Sequence, residues 1–203
     1  MKVLTKKDVD EASKILLEDG VIAFPTETVY GLGVTFDKYD NYLKLVKVKN
    51  RPNDKPFTIM CSDIKQVRDL IIINELANKI INKFMPGAIT LILKAKPGVK
   101  NYLDLNTGFI GIRIPNDEFV LKLIDMVKKP LLVPSANPSN LKPATNYLEV
   151  INYFDGKIDA VIKGNIKSNI PSTIIKIDGD NIILIREGEI SLEKIKKEIG
   201  LLW

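Results

Sequence analysis

Apolar and polar residues alternate along this chain in two periods, one suited to helices and one to strands. Residues 5–19 carry apolar positions three and four apart, which predicts an amphipathic helix. Thr5 stands as its N-cap with Asp8 three residues on, and Gly20 as its stop. Residues 21–24 form a short apolar run ending at Pro25, read as a buried strand. A second helix is predicted over 39–49, broken before Arg51-Pro52. A strand follows over 57–61, then helical periodicity from Asp63 to about Phe84, in one or two pieces. Pro86-Gly87 marks a turn ahead of a strand over 89–93. Residues 95–108 read as a loop, 109–114 as a strand, 117–127 as a helix and 131–133 as a strand. A loop rich in Pro, Ser and Asn spans 134–144, with a helix after Thr145. Strands near 159–163, 172–177 and 182–186 precede a last helix from Ser191, with Glu193 and Lys194 outward.

Strands alternating with helices predict a layered α/β fold. The closing pair of strands, joined at Asp178-Gly179-Asp180, reads as a hairpin, so the expected sheet is mixed. No repeat, linker or low-complexity tract interrupts the pattern, and the expectation is one domain over 1–203.

Composition narrows the chemistry. With 203 residues and 45% hydrophobic content, a substantial core is expected. No apolar run approaches the ~20 residues that span a bilayer, and the N-terminus lacks a signal peptide's apolar core. Cys61 is the only cysteine, so no internal disulfide can form and a reducing, cytoplasmic setting is expected. There is no histidine, which excludes a Ser-His-Asp triad, a Cys-His pair and imidazole-held zinc. Chemistry must therefore run on Lys, Arg, carboxylates, hydroxyls and backbone dipoles. Any metal should be a hard cation such as Mg²⁺, held by substrate phosphates rather than by protein side chains. The net charge of +5 suits solvated helix faces and also an anionic ligand, nucleotide or nucleic acid.

Four segments place polar residues directly after apolar strands, where α/β folds bind ligands. Pro25-Thr26-Glu27-Thr28-Val29-Tyr30-Gly31-Leu32-Gly33 packs hydroxyls, a carboxylate and glycines together; it serves equally as a tight turn, and it matches neither a P-loop nor a dinucleotide fingerprint. Lys49-Asn50-Arg51-Pro52-Asn53-Asp54-Lys55-Pro56 sets two cations one residue apart in a stiff stretch, suited to phosphate or simply an exposed basic turn. Ser135 and Asn137 lie two apart after the 131–133 strand, as ligand groups or as turn formers. A Ser-x-x-Lys pattern occurs at Ser139, Ser62 and Ser191; three occurrences by ordinary capping make it a weak hydrolase signal. The fourth segment is the pair Pro171-Ser172-Thr173 and Arg186-Glu187-Gly188. Arg113, inside an apolar strand, belongs with it, because a buried Arg needs a partner or an anion.

Together these segments resemble the YrdC/YciO-type family of threonylcarbamoyl-AMP synthases. The matching stretches are PTETVYGLG (25–33), KNRPNDKPF (49–57), PGAITLIL (86–93), GIRIP (111–115), PSANPS (134–139), PST (171–173) and IREGEIS (185–191), in the family's order. The resemblance implies a YrdC-like twisted mixed sheet flanked by helices, with a large, positively lined cavity. It implies that Lys49 and Arg51 hold ATP phosphates, that Ser135, Asn137 and Arg186 lie at the nucleotide, and that Lys49, Arg51, Ser135 and Asn137 are the catalytic set. Asn53, Pro143 and Thr145 are further implied ATP contacts. Thr26, Thr58, Arg113, Ser172 and Thr173 are implied at L-threonine, with Arg113 on its carboxylate. Departures are Met85 for the usual Trp, Asn140 for a common Gly and Glu187 for a common Pro. The chain stops at Trp203, so an extra C-terminal domain of longer relatives is expected to be missing.

The implied activity joins L-threonine, bicarbonate and ATP into threonylcarbamoyl-AMP for adenosine 37 of transfer RNAs, with a threonylcarbamoyl transferase complex downstream. With no imidazole, no side chain stands out as a general base, and the amine proton is expected to leave to a substrate oxygen or water. Two other readings stand beside it: a YciO-like paralogue that binds RNA without synthase activity, and a nucleotide-binding regulatory protein.

Overall fold

The computed structural model describes residues 1–51 and 56–201. Strands β1 (Lys2–Thr5), β2 (Ile22–Phe24), β3 (Gly31–Thr35), β4 (Ile59–Met60), β5 (Ile89–Lys94), β6 (Phe109–Arg113), β7 (Leu131–Leu132), β8 (Ala160–Lys163), β9 (Thr173–Asp178) and β10 (Asn181–Arg186) join one sheet. Their order is β1-β8-β2-β3-β7-β4-β6-β5-β9-β10. The sheet is mixed: β8 runs parallel to β1 and β2, β4 to β6 and β5 to β9, while the remaining pairs are antiparallel. Helices α1 (Val9–Leu17), α2 (Tyr39–Lys49), α3 (Glu75–Phe84), α4 (Asn101–Asp104), α5 (Glu118–Val127), α6 (Tyr147–Phe154) and α7 (Leu192–Glu198) flank it. The α/β class with a mixed sheet is thus the fold observed.

Period-two alternation sorts each strand between two cores. Ile22, Phe24, Met60, Leu131 and Val133 face α1 and α5, where they meet Ala12, Leu16, Val120, Leu123 and Ile124. Their neighbours Val21, Ala23, Ile59, Cys61 and Leu132 face the other way, into a core with Leu45 of α2, Ile80 of α3 and Phe154 of α6. Side chains of Asn74, Asp117, Asn146 and Ser191 cap α3, α5, α6 and α7 by accepting from backbone N–H groups of the first turn.

Several boundaries differ from expectation for identifiable reasons. Thr5 ends an exposed edge strand rather than capping α1; Asp8 stands before the helix instead and accepts from the Thr5 backbone N–H and hydroxyl. The left-handed residue after α1 is Asp19 (φ 63°), not Gly20. Gly20 is needed for closeness: a Cβ there would sit 2.4 Å from Ile15 Cγ2. The stretch 63–84 divides into a 3₁₀ turn (Ile64–Val67) and α3, and the 95–108 loop contains the short α4. Residues 31–35, of which 31–33 read as part of a glycine-rich ligand loop, form β3, fully buried between β2 and β7. Among the described residues no helix is long and apolar enough to cross a membrane.

Candidate active site

The part of the sheet from β3 to β10 carries a cavity of about 600 Å³. Its wall includes Thr26 from the β2–β3 loop, Thr58 beside β4, Arg113 at the end of β6, Ser135 after β7, and Ser172 and Arg186 from the β9–β10 region, with Arg51 following α2. Seven of the sequence-selected residues therefore share one chamber. The wall also carries Lys176 but no Asp or Glu among the described residues.

Pairing across the sheet explains the convergence. The β9–β10 hairpin, turning at Gly179 and Asp180, lays Arg186 opposite Ile174. Arg186 then reaches back, its Nε and Nη2 donating to the Ser172 carbonyl at 3.2 and 2.8 Å. Ser172 Oγ lies 3.0 Å from Thr90 Oγ1 of β5. Burial, and secondarily repulsion from Arg113, lowers the Arg186 pKa from its ordinary value. Two guanidinium groups thus stand within electrostatic reach across the chamber.

Arg113 is buried and held from behind. Its Nη2 lies 2.9 Å from Glu27 Oε1 and 3.0 Å from Thr28 Oγ1. Thr28 Oγ1 meets Thr26 Oγ1 at 3.0 Å, and Thr26 Oγ1 donates to the Val29 carbonyl. A relay of hydroxyls therefore links the chamber wall to the arginine. Arg51 lies against the chamber with its guanidinium 5.0 Å from the Phe57 ring centre.

Lys49 is placed differently from expectation. It is the last residue of α2, 2% exposed and absent from the cavity wall. Its ammonium donates to the carbonyls of Ser135 (2.5 Å) and Asn137 (2.6 Å), with Asn137 Oδ1 at 3.5 Å, while its own carbonyl accepts from Ser139 N–H. Burial, with Arg51 adding repulsion, pulls its pKa down to about 7. Three acceptors nonetheless match the three protons of an ammonium group. Asn137 is turned inward as well, donating to the Pro138 and Leu141 carbonyls and accepting from Ser135 Oγ at 2.6 Å. Lys49 and Asn137 thus brace the 134–141 loop, and Ser135 alone of that cluster reaches the chamber.

Three further expected contacts lie off the wall. Thr173 is fully buried, its hydroxyl donating to the Ile190 carbonyl and accepting from Gly188 N–H, so it locks the turn after β10. Thr145 is engaged with Glu149 ahead of α6. Pro143 precedes Ala144, whose backbone joins the loop to Ala136 and Tyr30. Asn53 falls outside the described residues. Sequence reasoning placed Glu27 and Thr28 in a candidate segment without giving them a role, though they hold Arg113, and it passed over Lys176, whose Nζ sits 3.5 Å from the Phe109 ring centre. A lone cation in the apolar run of β9 is the same signal that singled out Arg113.

Comparison with known proteins adds to the geometry. Residues 14–188 match a family model designated Sua5_yciO_yrdC and described as telomere recombination. A Methanocaldococcus jannaschii protein named putative threonylcarbamoyl-AMP synthase is 37% identical over 193 residues, 95% of this chain and 91% of that one. The Bacillus subtilis threonylcarbamoyl-AMP synthase is 35% identical over 195 residues, and there this chain spans only 56% of the relative's length. The crystal structure of Pyrococcus abyssi Sua5 complexed with L-threonine superposes with a TM-score of 0.93 at 30% identity, covering all of this chain and 62% of the other.

Proposed function

The chain belongs to the Sua5/YciO/YrdC family, and on that footing we propose that it is a threonylcarbamoyl-AMP synthase. It joins L-threonine, bicarbonate and ATP, giving threonylcarbamoyl-AMP, diphosphate and water, for modification of adenosine 37 in transfer RNAs that read ANN codons. The observation that carries the reading is the single chamber in which Arg51, Arg113 and Arg186 meet hydroxyls from Thr26, Thr58, Ser135 and Ser172. A relative named putative threonylcarbamoyl-AMP synthase, of which this chain covers 91%, supports it.

In this reading the threonine amine adds to the carbon of bicarbonate, forming a C–N bond and releasing water. A carboxylate oxygen of the resulting N-carboxy-threonine attacks the α-phosphorus of ATP, and diphosphate leaves. Both reactants are anions, so bringing them together requires cations where charge develops. Arg113 takes the threonine carboxylate, Arg51 and Arg186 face the polyphosphate, and the wall hydroxyls orient both. Much of the acceleration is positioning of three substrates in line.

In this reading the protein supplies no metal ligands of its own. Among the described residues no group of three or more His, Cys, Asp and Glu comes together. Mg²⁺ arrives on the ATP phosphates in this reading, and no step is routed through it. A downstream transferase complex receives the product. A cytoplasmic location belongs to the reading as well, in keeping with a chain whose lone cysteine, Cys61, can form no internal disulfide.

The test is diphosphate release with ATP, bicarbonate and each amino acid in turn. Release that requires both threonine and bicarbonate is expected. No release, with tight binding of RNA instead, would replace this reading with the RNA-binding one.

A further inference from the structure

Glu27 does not reach the chamber wall, yet it makes the only carboxylate contact of Arg113 among the described residues. Both residues are 6% exposed. A side-on arginine–carboxylate fork would use two parallel bonds. This pair meets end-on instead. Glu27 Oε1 contacts Nη2 at 2.9 Å, while Glu27 Oε2 and Arg113 Nε are sealed without a partner among the described residues. Nη2 is saturated by Glu27 and Thr28 together. Among the described residues Nη1 has no protein partner and is not among the sealed atoms, so on a residue that lines the cavity it is the group left to face the interior.

The same carboxylate oxygen does a second job. Glu27 Oε1 also accepts from the Asn116 backbone N–H at 2.9 Å. Arg113 closes β6 and Asn116 follows three residues later, so one oxygen pins both the arginine side chain and the backbone leaving its strand. Repulsion between Arg113 and Arg186, which contributes to the lowered pKa of Arg186, would push the Arg113 guanidinium away from the chamber centre. The placed oxygen Glu27 Oε1 is the anchor that holds it against that push.

We infer that Glu27 is a positioning residue for amino-acid recognition: its Oε1 clamps Arg113 so that Nη1 points into the chamber at the carboxylate of the bound amino acid. The inference rests on the proposed synthase reading. It assigns to the 25–30 loop the aim of the arginine, as well as the wall residue Thr26.

Glu27→Asp draws the carboxylate back by one methylene while keeping its charge, and Glu27→Gln keeps the reach and an amide oxygen while removing the charge. With thermal melts confirming that both fold, steady-state kinetics and calorimetric titration with L-threonine are measured for each. Glu27→Asp should raise the threonine KM and Kd about tenfold or more, the scale of losing one charge-assisted hydrogen bond, with the ATP KM within about twofold of the parent. Glu27→Gln should recover most of that loss. An unchanged threonine KM in Glu27→Asp, a parallel rise in both KM values, or a Gln variant no better than Asp would each overturn the clamp. A parent protein that shows neither threonine binding nor threonine-dependent turnover sinks the synthase reading itself, and that result is visible before any variant is made.

Discussion

A buried lysine among backbone carbonyls shows how burial alters an ordinary residue. Lys49→Ala removes the donor for the Ser135 and Asn137 carbonyls, so it should destabilise the protein by about 2 kcal/mol besides lowering turnover. Urea titration checks this, and a loss of turnover with unchanged stability would put Lys49 back on the phosphates. The pKa of about 7 in the folded chain lies below the ordinary 10.5, so between those values the unfolded chain keeps a proton that the folded chain has released. Stability from this site therefore rises as pH climbs from about 7 towards 10.5 and is lowest below pH 7. Unfolding at pH 6.5 and 9.5 should show a larger gain for the parent than for Lys49→Met; equal gains would exclude the site. At Arg113, replacement by Ala should raise the threonine KM more than the ATP KM; the reverse pattern would mean that the two pockets are exchanged. Composition revealed that Arg113 needed a partner, because a cation between isoleucines is conspicuous. The burial of Lys49 was not legible, since it depends on α2 meeting a loop some ninety residues later, with Nζ bound at Ser135 and Asn137.

Elements with strong local signals came through from the sequence unchanged, and those defined by distant pairing did not. α2 occupies 39–49 as predicted, and the hairpin turn at Gly179 was read from Asp178-Gly179-Asp180. β1 was missed because Lys2–Thr5 is short and exposed and gains its identity only by pairing with Ala160–Lys163. β3 was missed because two glycines in five residues read as a loop, whereas the sheet uses them for closeness: a Cβ on Gly31 would lie 2.6 Å from Val133 Cγ1. Gly188 is the sharper case. A Cβ there would fall 2.1 Å from the Pro171 carbonyl oxygen and 2.6 Å from Thr173 N. Gly188→Ala should therefore cost about 3 kcal/mol and loosen Arg186 from Ser172, raising the ATP KM. Thermal unfolding with kinetics decides it; a variant that matches the parent in both would show that the turn relaxes freely.

For the molecule as a whole, the chamber couples ligands to stability. Ligands that bind only the folded chain stabilise it by about 2.7 kcal/mol at a hundred times their Kd. Saturating ATP with threonine should accordingly raise the Tm by roughly 5–10 °C for a chain of this size. The threonine increment should vanish in Arg113→Ala, and an increment that survives there would place the amino acid elsewhere. The walls of this chamber are drawn from nearly the full length of the chain, from Thr26 to Arg186, and β9 and β10 close the sheet at its far edge. A polypeptide emerging from the ribosome consequently has its first eight strands available while one flank of the hollow is still bare. The hairpin that docks on β5 and carries Arg186 is thus the last part of the wall to be synthesised.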